Sequence, residues 1–290
     1  MKANSLFGLI ANPIEHSFSP ILHNLIFEKL QLKYYYSPFK LNRDSFSEQF
    51  YNLISIENLK GLNISVPFKE KSLNLLSKLN KKGKIDLFVS KEVNKIRAIN
   101  TIKIENKRIE VYNTDFIGFT KTLKQYTIIK NKNVFVLGAG GSSRAIIYSL
   151  KKEKANIFIW NRTIEKAQKL ALEFNLELIK DLNIDFDNFD IIVNTTSVGL
   201  KEDKLLFDSN KLKNHQIVFD LIYKETLLLK EAKRKGLTTI NGLDMLFYQG
   251  IESQKIWFKE NKEIISFLNK NENKLKDLFI RRLKNFGLIK

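Results

Sequence analysis

Apolar and polar positions along the first hundred residues switch between strand-like runs and helix-like spacing. Residues 6–11 read as a strand. Ser19-Pro20 then reads as a helix cap with proline at the first helical position, and Leu22, Leu25, Ile26 and Leu30 follow at helical spacing. The pattern predicts a second strand over 34–39, a helix over 46–54, and a third strand over 62–66 that Pro67 ends. Residues 99–104, the polar pair Asn106-Lys107 and residues 109–112 predict a β-hairpin. Strands separated by helices imply an α/β layer around a largely parallel sheet.

A second pattern starts after the helix-like stretch 116–126. Residues 134–137 form a continuous apolar strand that runs directly into Gly138-Ala139-Gly140-Gly141. Helical spacing continues through Ala145, Ile146 and Leu150, and 157–160 reads as the next strand, completing a βαβ unit. Further strands are expected at 190–193, 218–221 and 238–240, with a helix over 227–235 between the last two. From Met245 onward the chain reads as wholly helical. There Leu275, Leu278, Phe279, Leu283 and Phe286 make one apolar stripe flanked by lysine and arginine. Packing against the body is the first reading of that stripe; a dimer contact or a membrane-surface helix is the alternative. The chain shows no internal repeat and no low-complexity linker.

Composition narrows the classes. With 290 residues the chain is long enough for two domains. Hydrophobic residues at 43% and aromatics at 11% place it among globular rather than disordered chains. No stretch approaches the roughly 18 uninterrupted apolar residues of a membrane span. The run 6–11 before Pro13 fits a first strand better than a signal peptide. With no cysteine, disulfides, thiolate catalysis and cysteine metal sites are excluded. None of the three histidines, His16, His23 and His215, has a partner at metal-ligand spacing, so no metal is expected.

Lys and Arg number 49 against 31 Asp and Glu, a formal charge of +18. Such a charge can attract nucleic acid, membranes or small anions. The lysines are spread along the chain among Asn, Glu and Ile, which reads as a solvated surface. Nucleic-acid binding would make affinity steeply salt-dependent, and no recognised reading motif supports it. The charge permits an anionic ligand without identifying one.

A glycine-rich turn between strand and helix lets backbone N–H groups approach a pyrophosphate and aims the helix N-terminus at it. Gly138 and Gly140 supply the first two glycines of the Gly-x-Gly-x-x-Gly pattern, and Ser143, small enough for close helix–strand packing, takes the third place. An ordinary tight corner uses glycines too; the strand before, the helix after and the spacing to the next strand favour a dinucleotide. The end of that next strand bears on which one. NAD binders place Asp or Glu there to bond the ribose hydroxyls. This chain has Asn161-Arg162-Thr163 and then Lys166. Arg162 can clamp and stack on a 2′-phosphate, Thr163 can add a hydroxyl donor and Lys166 a second cation, so NADP is expected.

Several blocks then carry a family resemblance. They are Asn12-Pro13-Ile14-Glu15-His16-Ser17-Phe18-Ser19-Pro20, Gly61-Leu62-Asn63-Ile64-Ser65-Val66-Pro67-Phe68-Lys69 and Ala98-Ile99-Asn100-Thr101. Asn113-Thr114-Asp115, Asn194-Thr195-Thr196-Ser197-Val198-Gly199, Gly242-Leu243-Asp244-Met245-Leu246 and Gln249 follow in order. With the cofactor block in its place, the series resembles the shikimate dehydrogenase family from about Phe7 to Gln249. Eight blocks in one order are far more specific than any one of them.

The resemblance implies that Lys69 and Asp115 are the catalytic pair. Reducing a ketone builds negative charge on its oxygen, so a positioned proton donor is required. Lys69 would be the acid in reduction and the base in reverse, while Asp115 orients it and holds a substrate hydroxyl. In a lysine-rich chain, only the surrounding Asn-Ile-Ser-Val-Pro-Phe block singles out Lys69. The same resemblance assigns Ser17, Ser19 and Tyr223 to a substrate carboxylate. It assigns Ser65, Asn100, Asp115 and Gln249 to ring hydroxyls, with Asn63 also in the substrate site. Cofactor contacts are expected from Gly138, Ala139, Gly140, Gly141, Ser142, Asn161, Arg162, Thr163, Lys166 and Thr196, with Leu221 and Gly242 lining the nicotinamide pocket. The chain departs from the family in a longer segment between Lys69 and Asn100, and in Arg97, which stands where glycine is usual. Thr226-Leu227-Leu228-Leu229 also replaces Thr-Pro-Leu-Leu on a shortened loop.

The expected architecture is α/β in two domains. A substrate-binding catalytic domain spans 1–108 and takes in returning C-terminal helices at 245–290; a Rossmann-like NADP-binding domain spans 109–244. The active site is expected in the cleft between them, closed over substrate to exclude water. The activity implied is reversible NADPH-dependent reduction of 3-dehydroshikimate to shikimate in aromatic amino acid (chorismate) biosynthesis. The expected enzyme is cytoplasmic, a monomer or homodimer with a small-molecule substrate and neither nucleic-acid nor membrane partner. The alternatives are a quinate/shikimate dehydrogenase of broader specificity and a non-catalytic nucleotide-binding paralogue.

Overall fold

The computed structural model describes residues 5–15 and 17–289, so His16 of the first block lies outside the described residues. The chain forms two compact units, one of Met1–Thr114 with Gln249–Lys290 and one of Asp115–Tyr248.

The first unit runs β1 (Ser5–Ala11), α1 (Ser19–Lys29), β2 (Tyr34–Lys40), α2 (Phe46–Ile54), β3 (Leu59–Ile64) and α3 (Lys69–Lys81). It continues through β4 (Asp86–Val89), α4 (Lys91–Ile96), β5 (Thr101–Glu105) and β6 (Arg108–Tyr112). The six strands form one mixed sheet in the order β2-β1-β3-β5-β6-β4. β1 is parallel to β2 and β3, β4 is parallel to β6, and β5 is antiparallel to both β3 and β6. Ile10 stands opposite Ile64, which sets the ends of β1 and β3 side by side. The loops that leave those two strands therefore start at one edge of the sheet.

Two local expectations are corrected here. The third strand ends at Ile64, not Val66: the Ser65 N–H makes a last ladder bond to the Ile10 carbonyl at 2.8 Å, and the chain then turns, the Ser65 carbonyl accepting the Phe68 N–H at 2.9 Å. Ser19 is not the cap of α1: Phe18 holds that place and Ser19 is helical, with Pro20 in the first turn where its missing N–H is harmless. The Ser17 hydroxyl instead accepts the Ser19 N–H at 3.3 Å. The long segment after Lys69 folds as α3, β4 and α4, with β4 at the margin of the sheet. Its unit runs on to Thr114, past residue 108, since β6 pairs along its whole length with β5.

The second unit runs α5 (Asp115–Leu123), β7 (Asn133–Leu137), α6 (Gly141–Lys152), β8 (Asn156–Trp160), α7 (Ile164–Phe174) and β9 (Glu177–Leu178). β10 (Ile191–Asn194), β11 (Ile217–Asp220), α8 (Leu227–Arg234) and β12 (Thr238–Ile240) follow. Its sheet is parallel throughout, in the order β12-β11-β10-β7-β8-β9. Val134, Phe135, Val136 and Leu137 are all fully buried, one face packing on α6 and the other on Phe186 and Phe189. Burial on both faces is what a continuous apolar run means in a parallel sheet. Strand order reverses between β7 and β10, so their carboxyl ends flank a topological switch point, where open α/β sheets bind ligands.

Three helices close the chain, α9 (Leu243–Trp257), α10 (Lys262–Lys270) and α11 (Glu272–Asn285), and from Gln249 onward they belong to the first unit. Trp257 anchors this return: its indole N–H donates to the Ile102 carbonyl at 2.9 Å and its ring lies 4.9 Å from that of Phe7. The apolar stripe of α11 divides. Leu275, Phe279 and Leu283, four residues apart, are buried, Leu278 is half-buried, and Phe286 is exposed. Among the described residues no helix is long and apolar enough to cross a membrane.

Candidate active site

In the first unit the expected substrate residues gather at the β1–β3 edge. Ser17 sits on the loop from β1 into α1, Ser19 opens α1, Ser65 follows β3, and Lys69 opens α3. The Asn12 N–H donates to the Val66 carbonyl at 3.2 Å, joining the two loops. Antiparallel pairing of β5 brings Asn100 alongside, its carbonyl accepting the Ile64 N–H at 2.8 Å, and the Lys69 carbonyl accepts the Ile99 N–H at 3.1 Å. Lys69 is only 8% exposed. A lysine that deep is rare, since its ammonium must find polar company or water to stay charged.

A buried polar network underlies this edge. The Asn100 amide donates to the Thr114 hydroxyl at 2.8 Å and to the Gln249 side-chain oxygen at 3.2 Å, and its own oxygen accepts the Thr114 N–H at 2.7 Å. The Asn63 amide donates to the Asn100 carbonyl, the Thr101 hydroxyl and the Ser253 hydroxyl, and its oxygen accepts from the Tyr36 hydroxyl at 2.8 Å. Thr101 and Thr114 lie inside the sequence blocks yet carry no assigned role, while Tyr36 and Ser253 lie outside them. For Ser253 a signal existed: it stands four residues after Gln249, on the same face of α9. Beside Tyr36, stacked on it at 4.3 Å, the His23 imidazole is wholly buried, and burial holds its pKa down to about 3.

In the second unit β7 delivers the glycine turn. Gly138 has φ +117, and a Cβ there would meet the Thr195 hydroxyl at 2.4 Å, so only glycine fits. The Ser143 hydroxyl accepts the Gly140 N–H at 3.1 Å and bonds the Thr195 hydroxyl at 2.6 Å, which pins the turn to the start of α6 and to β10. Ser143 is buried, as a small third residue of the pattern should be. Gly140 by contrast is exposed, and a Cβ built on it would meet nothing within 4 Å. That open cradle beside the N-terminus of a twelve-residue helix fits a pyrophosphate.

At the end of β8 the Asn161 amide donates to the Thr163 carbonyl at 2.8 Å, shaping the turn into α7. Thr163 caps α7 without a side-chain hydrogen bond, and Arg162, Thr163 and Lys166 are all exposed. Among the described residues neither Arg162 nor Lys166 has an acidic partner. Arg144, nearer the glycine turn, is by contrast paired with Glu173 and lies over the Phe174 ring. Two unpaired cations and a free hydroxyl at the strand end suit a phosphate on a ribose.

Asp115 opens α5 and is buried. Burial, with the Asp115 charge adding to it, pushes the Tyr223 phenol up to about 12. Tyr223 is half-buried on the loop between β11 and α8, so the shortened loop still brings it within electrostatic reach of Asp115. Leu221 and Gly242 touch: the Gly242 N–H donates to the Ile222 carbonyl at 3.0 Å, and a Cβ on Gly242 would lie 2.0 Å from the Leu221 oxygen. Thr196 sits on the turn after β10, its N–H and hydroxyl both given to the Asn194 side-chain oxygen. Among the described residues no group of three or more His, Cys, Asp and Glu is placed to hold a metal ion.

The sequence is similar to known proteins over nearly its whole length. A family model described as shikimate dehydrogenase substrate binding domain matches residues 9–102, and one described as shikimate/quinate 5-dehydrogenase matches 121–221. The shikimate dehydrogenase (NADP(+)) of Aquifex aeolicus is 44% identical over 254 residues, 87% of this chain and 90% of that protein. Crystal structures agree. That of shikimate dehydrogenase from Aquifex aeolicus superposes with a TM-score of 0.84 at 40% identity, covering 97% of this chain and 99% of that one. Shikimate 5-dehydrogenase of Thermus thermophilus, solved in complex with NADP(H) and shikimate, gives 0.77 at 30% identity, covering 88% and 94%.

Proposed function

The chain belongs to the shikimate dehydrogenase family, and from that premise we propose that it is an NADP-dependent oxidoreductase interconverting 3-dehydroshikimate and shikimate in aromatic amino acid biosynthesis. The observation that carries this reading is Lys69, buried at the first turn of α3 beside the polar network of Asn63, Asn100 and Gln249.

Lys69 donates the proton that the ketone oxygen takes up during reduction and recovers it in the reverse direction. Asp115 accepts a substrate hydroxyl. Ser65, Asn100 and Gln249 hold the ring hydroxyls, Ser17, Ser19 and Tyr223 hold the carboxylate, and Asn63, its amide committed to Asn100, Thr101, Ser253 and Tyr36, supports the substrate site from beneath. Hydroxyl and amide groups suit this polyhydroxyl acid because they meet several polar atoms without burying unpaired charge. Gly138, Ala139, Gly140, Gly141 and Ser142 receive the dinucleotide's pyrophosphate. Asn161, Arg162, Thr163 and Lys166 hold its 2′-phosphate, Thr196 contacts the dinucleotide, and Leu221 and Gly242 bound its nicotinamide. When bound, NADPH supplies the hydride that reduces the ketone carbon. The enzyme works in the cytoplasm as a monomer or homodimer, with no nucleic-acid or membrane partner.

The test is nicotinamide absorbance with shikimate and with quinate, each offered NADP and NAD. Turnover fastest with shikimate and NADP is expected. Faster turnover with quinate or with NAD would replace this reading by the broader dehydrogenase, and no turnover with any pair would replace it by a non-catalytic nucleotide binder.

A further inference from the structure

We propose that Asp220 is a positioning residue for the nicotinamide end of the cofactor site, acting through Asn194 on the turn that carries Thr196; this rests on the dehydrogenase reading above. Asp220 ends β11 and Asn194 ends β10, adjacent parallel strands in which the two residues stand opposite each other. Asp220 is wholly buried. One carboxylate oxygen accepts the Asn194 amide at 3.1 Å and the Thr226 hydroxyl at 2.8 Å; the other accepts the Ile222 N–H at 3.1 Å. Neutral donors alone meet this carboxylate in these bonds.

A buried carboxylate without a cation is a costly way to join strands, so its use calls for a reason. A carboxylate only accepts. It and the Val198 carbonyl, which lies 3.3 Å from the same nitrogen, both demand the NH₂ side of Asn194. That leaves the Asn194 oxygen facing the turn, where it accepts the Thr196 N–H at 3.0 Å and the Thr196 hydroxyl at 2.7 Å. The Thr196 hydroxyl, its proton so committed, accepts the Val198 N–H at 3.1 Å. The carboxylate and the Val198 carbonyl thus together set the direction of three successive bonds. A neutral amide at 220 could offer a donor, and Asn194, held in this orientation then only by the Val198 carbonyl and the Thr196 N–H, would be loosened and Thr196 with it.

The same carboxylate orients the other loop. Because the Thr226 proton points at Asp220, the Thr226 oxygen is left to accept the Leu229 N–H at 3.4 Å and cap α8. Thr226 also presses on the first turn, its methyl 3.2 Å from where a Gly199 Cβ would stand. Loops 194–199 and 221–226, which carry Thr196, Leu221 and Tyr223, are therefore latched to one side chain.

The experiment is Asp220→Asn in the full-length enzyme, with steady-state kinetics, calorimetric NADP⁺ binding and thermal melting. Loosened positioning predicts an NADP⁺ KM and Kd raised about 10-fold with a lowered kcat, while the shikimate KM stays within about twofold. Because the variant removes a buried charge, its melting temperature at neutral pH should not fall. Asn194→Ala should give the same pattern, and the double variant no more than the larger single effect. Wild-type NADP⁺ binding and kcat in a folded D220N, or a loss of every parameter in step with a lowered melting temperature, overturns the proposal. Should D220N not fold, Asn194→Ala with unchanged NADP⁺ affinity overturns it equally. Weakened NADP⁺ binding in a protein whose wild type does not turn over shikimate would sink the activity instead and leave the positioning role standing.

Discussion

The side-chain amide of Asn63 donates to the hydroxyl of Ser253 at 3.0 Å across 190 positions of chain. The bond ties β3, which leads to Lys69, to α9, which carries Gln249. Ser253 also bonds the Thr101 hydroxyl at 2.9 Å and donates to the Gln249 carbonyl at 3.0 Å, so it is a common partner of the elements that frame the substrate edge.

Replacing Ser253 by alanine leaves the Asn63 amide and the hydroxyls of Thr101 and Thr114, all buried, short of a partner. Stability should fall by about 1–3 kcal/mol, the cost of buried polar groups left unpaired. Guanidinium denaturation is the check: a lower midpoint at unchanged slope is expected, and an unchanged midpoint would show that the hydroxyl is dispensable.

Lys69→Ala removes the proposed proton donor. Turnover should drop roughly 100- to 10,000-fold with NADP⁺ affinity retained, since the dinucleotide residues belong to the other unit. Single-turnover kinetics with calorimetric binding separate the two quantities. Turnover within about tenfold of wild type is too small a loss for a general acid.

Arg162→Ala tests the 2′-phosphate assignment. One charge-assisted hydrogen bond is worth about 1.5–3 kcal/mol, so the KM for NADP⁺ should rise about 10- to 100-fold. The KM for NAD⁺ should barely move. Parallel changes for both cofactors would place Arg162 away from the 2′-phosphate.

Asp220 makes a signed prediction about pH. Burial is the largest influence on it and raises its pKa from 3.8 to about 6, against the opposing hydrogen bonds from Ile222, Asn194 and Thr226. The folded state therefore holds this proton where the unfolded chain has lost it. Its contribution to stability is greatest below about pH 4 and is lost as pH rises through 6, by roughly 3 kcal/mol in all. His23 works in the opposite sense. Burial lowers its pKa from 6.5 to about 3, so its contribution is present above 6.5 and lost as pH falls. Because the two oppose each other between pH 4 and 6, the quantity to measure is wild type minus D220N. That difference should decline as pH rises across this window; a flat difference would mean that Asp220 does not titrate there.

Contiguous features were legible without coordinates. The apolar run 134–137, the turn Gly138-Ala139-Gly140 and the strand end at Asn161-Arg162-Thr163 each depend on neighbouring residues, so local spacing suffices to read them. Other local features misled. Ser19-Pro20 has a cap's composition, yet the helix begins one residue earlier because Ser17 already takes the Ser19 N–H. β4 is a four-residue strand at the sheet margin, too short to print a period. Arg97, standing where glycine is usual, closes α4 at φ +57, a left-handed cap that glycine would occupy with less strain.

Periodicity and spacing thus sufficed for the α/β class and the dinucleotide turn, since these are properties of a few consecutive residues, whereas Lys69 and Asp115 were singled out only by the blocks that carry the family resemblance. Folding alone chose their partners. Ser253 is an ordinary helical serine until α9 lands on β3 and β5, and Asp220 an ordinary strand-end aspartate until β10 lies beside it. Hydroxyls, amides and carboxylates are satisfied by whatever is near in space, and in this chain the groups that meet are separated by as many as 254 positions.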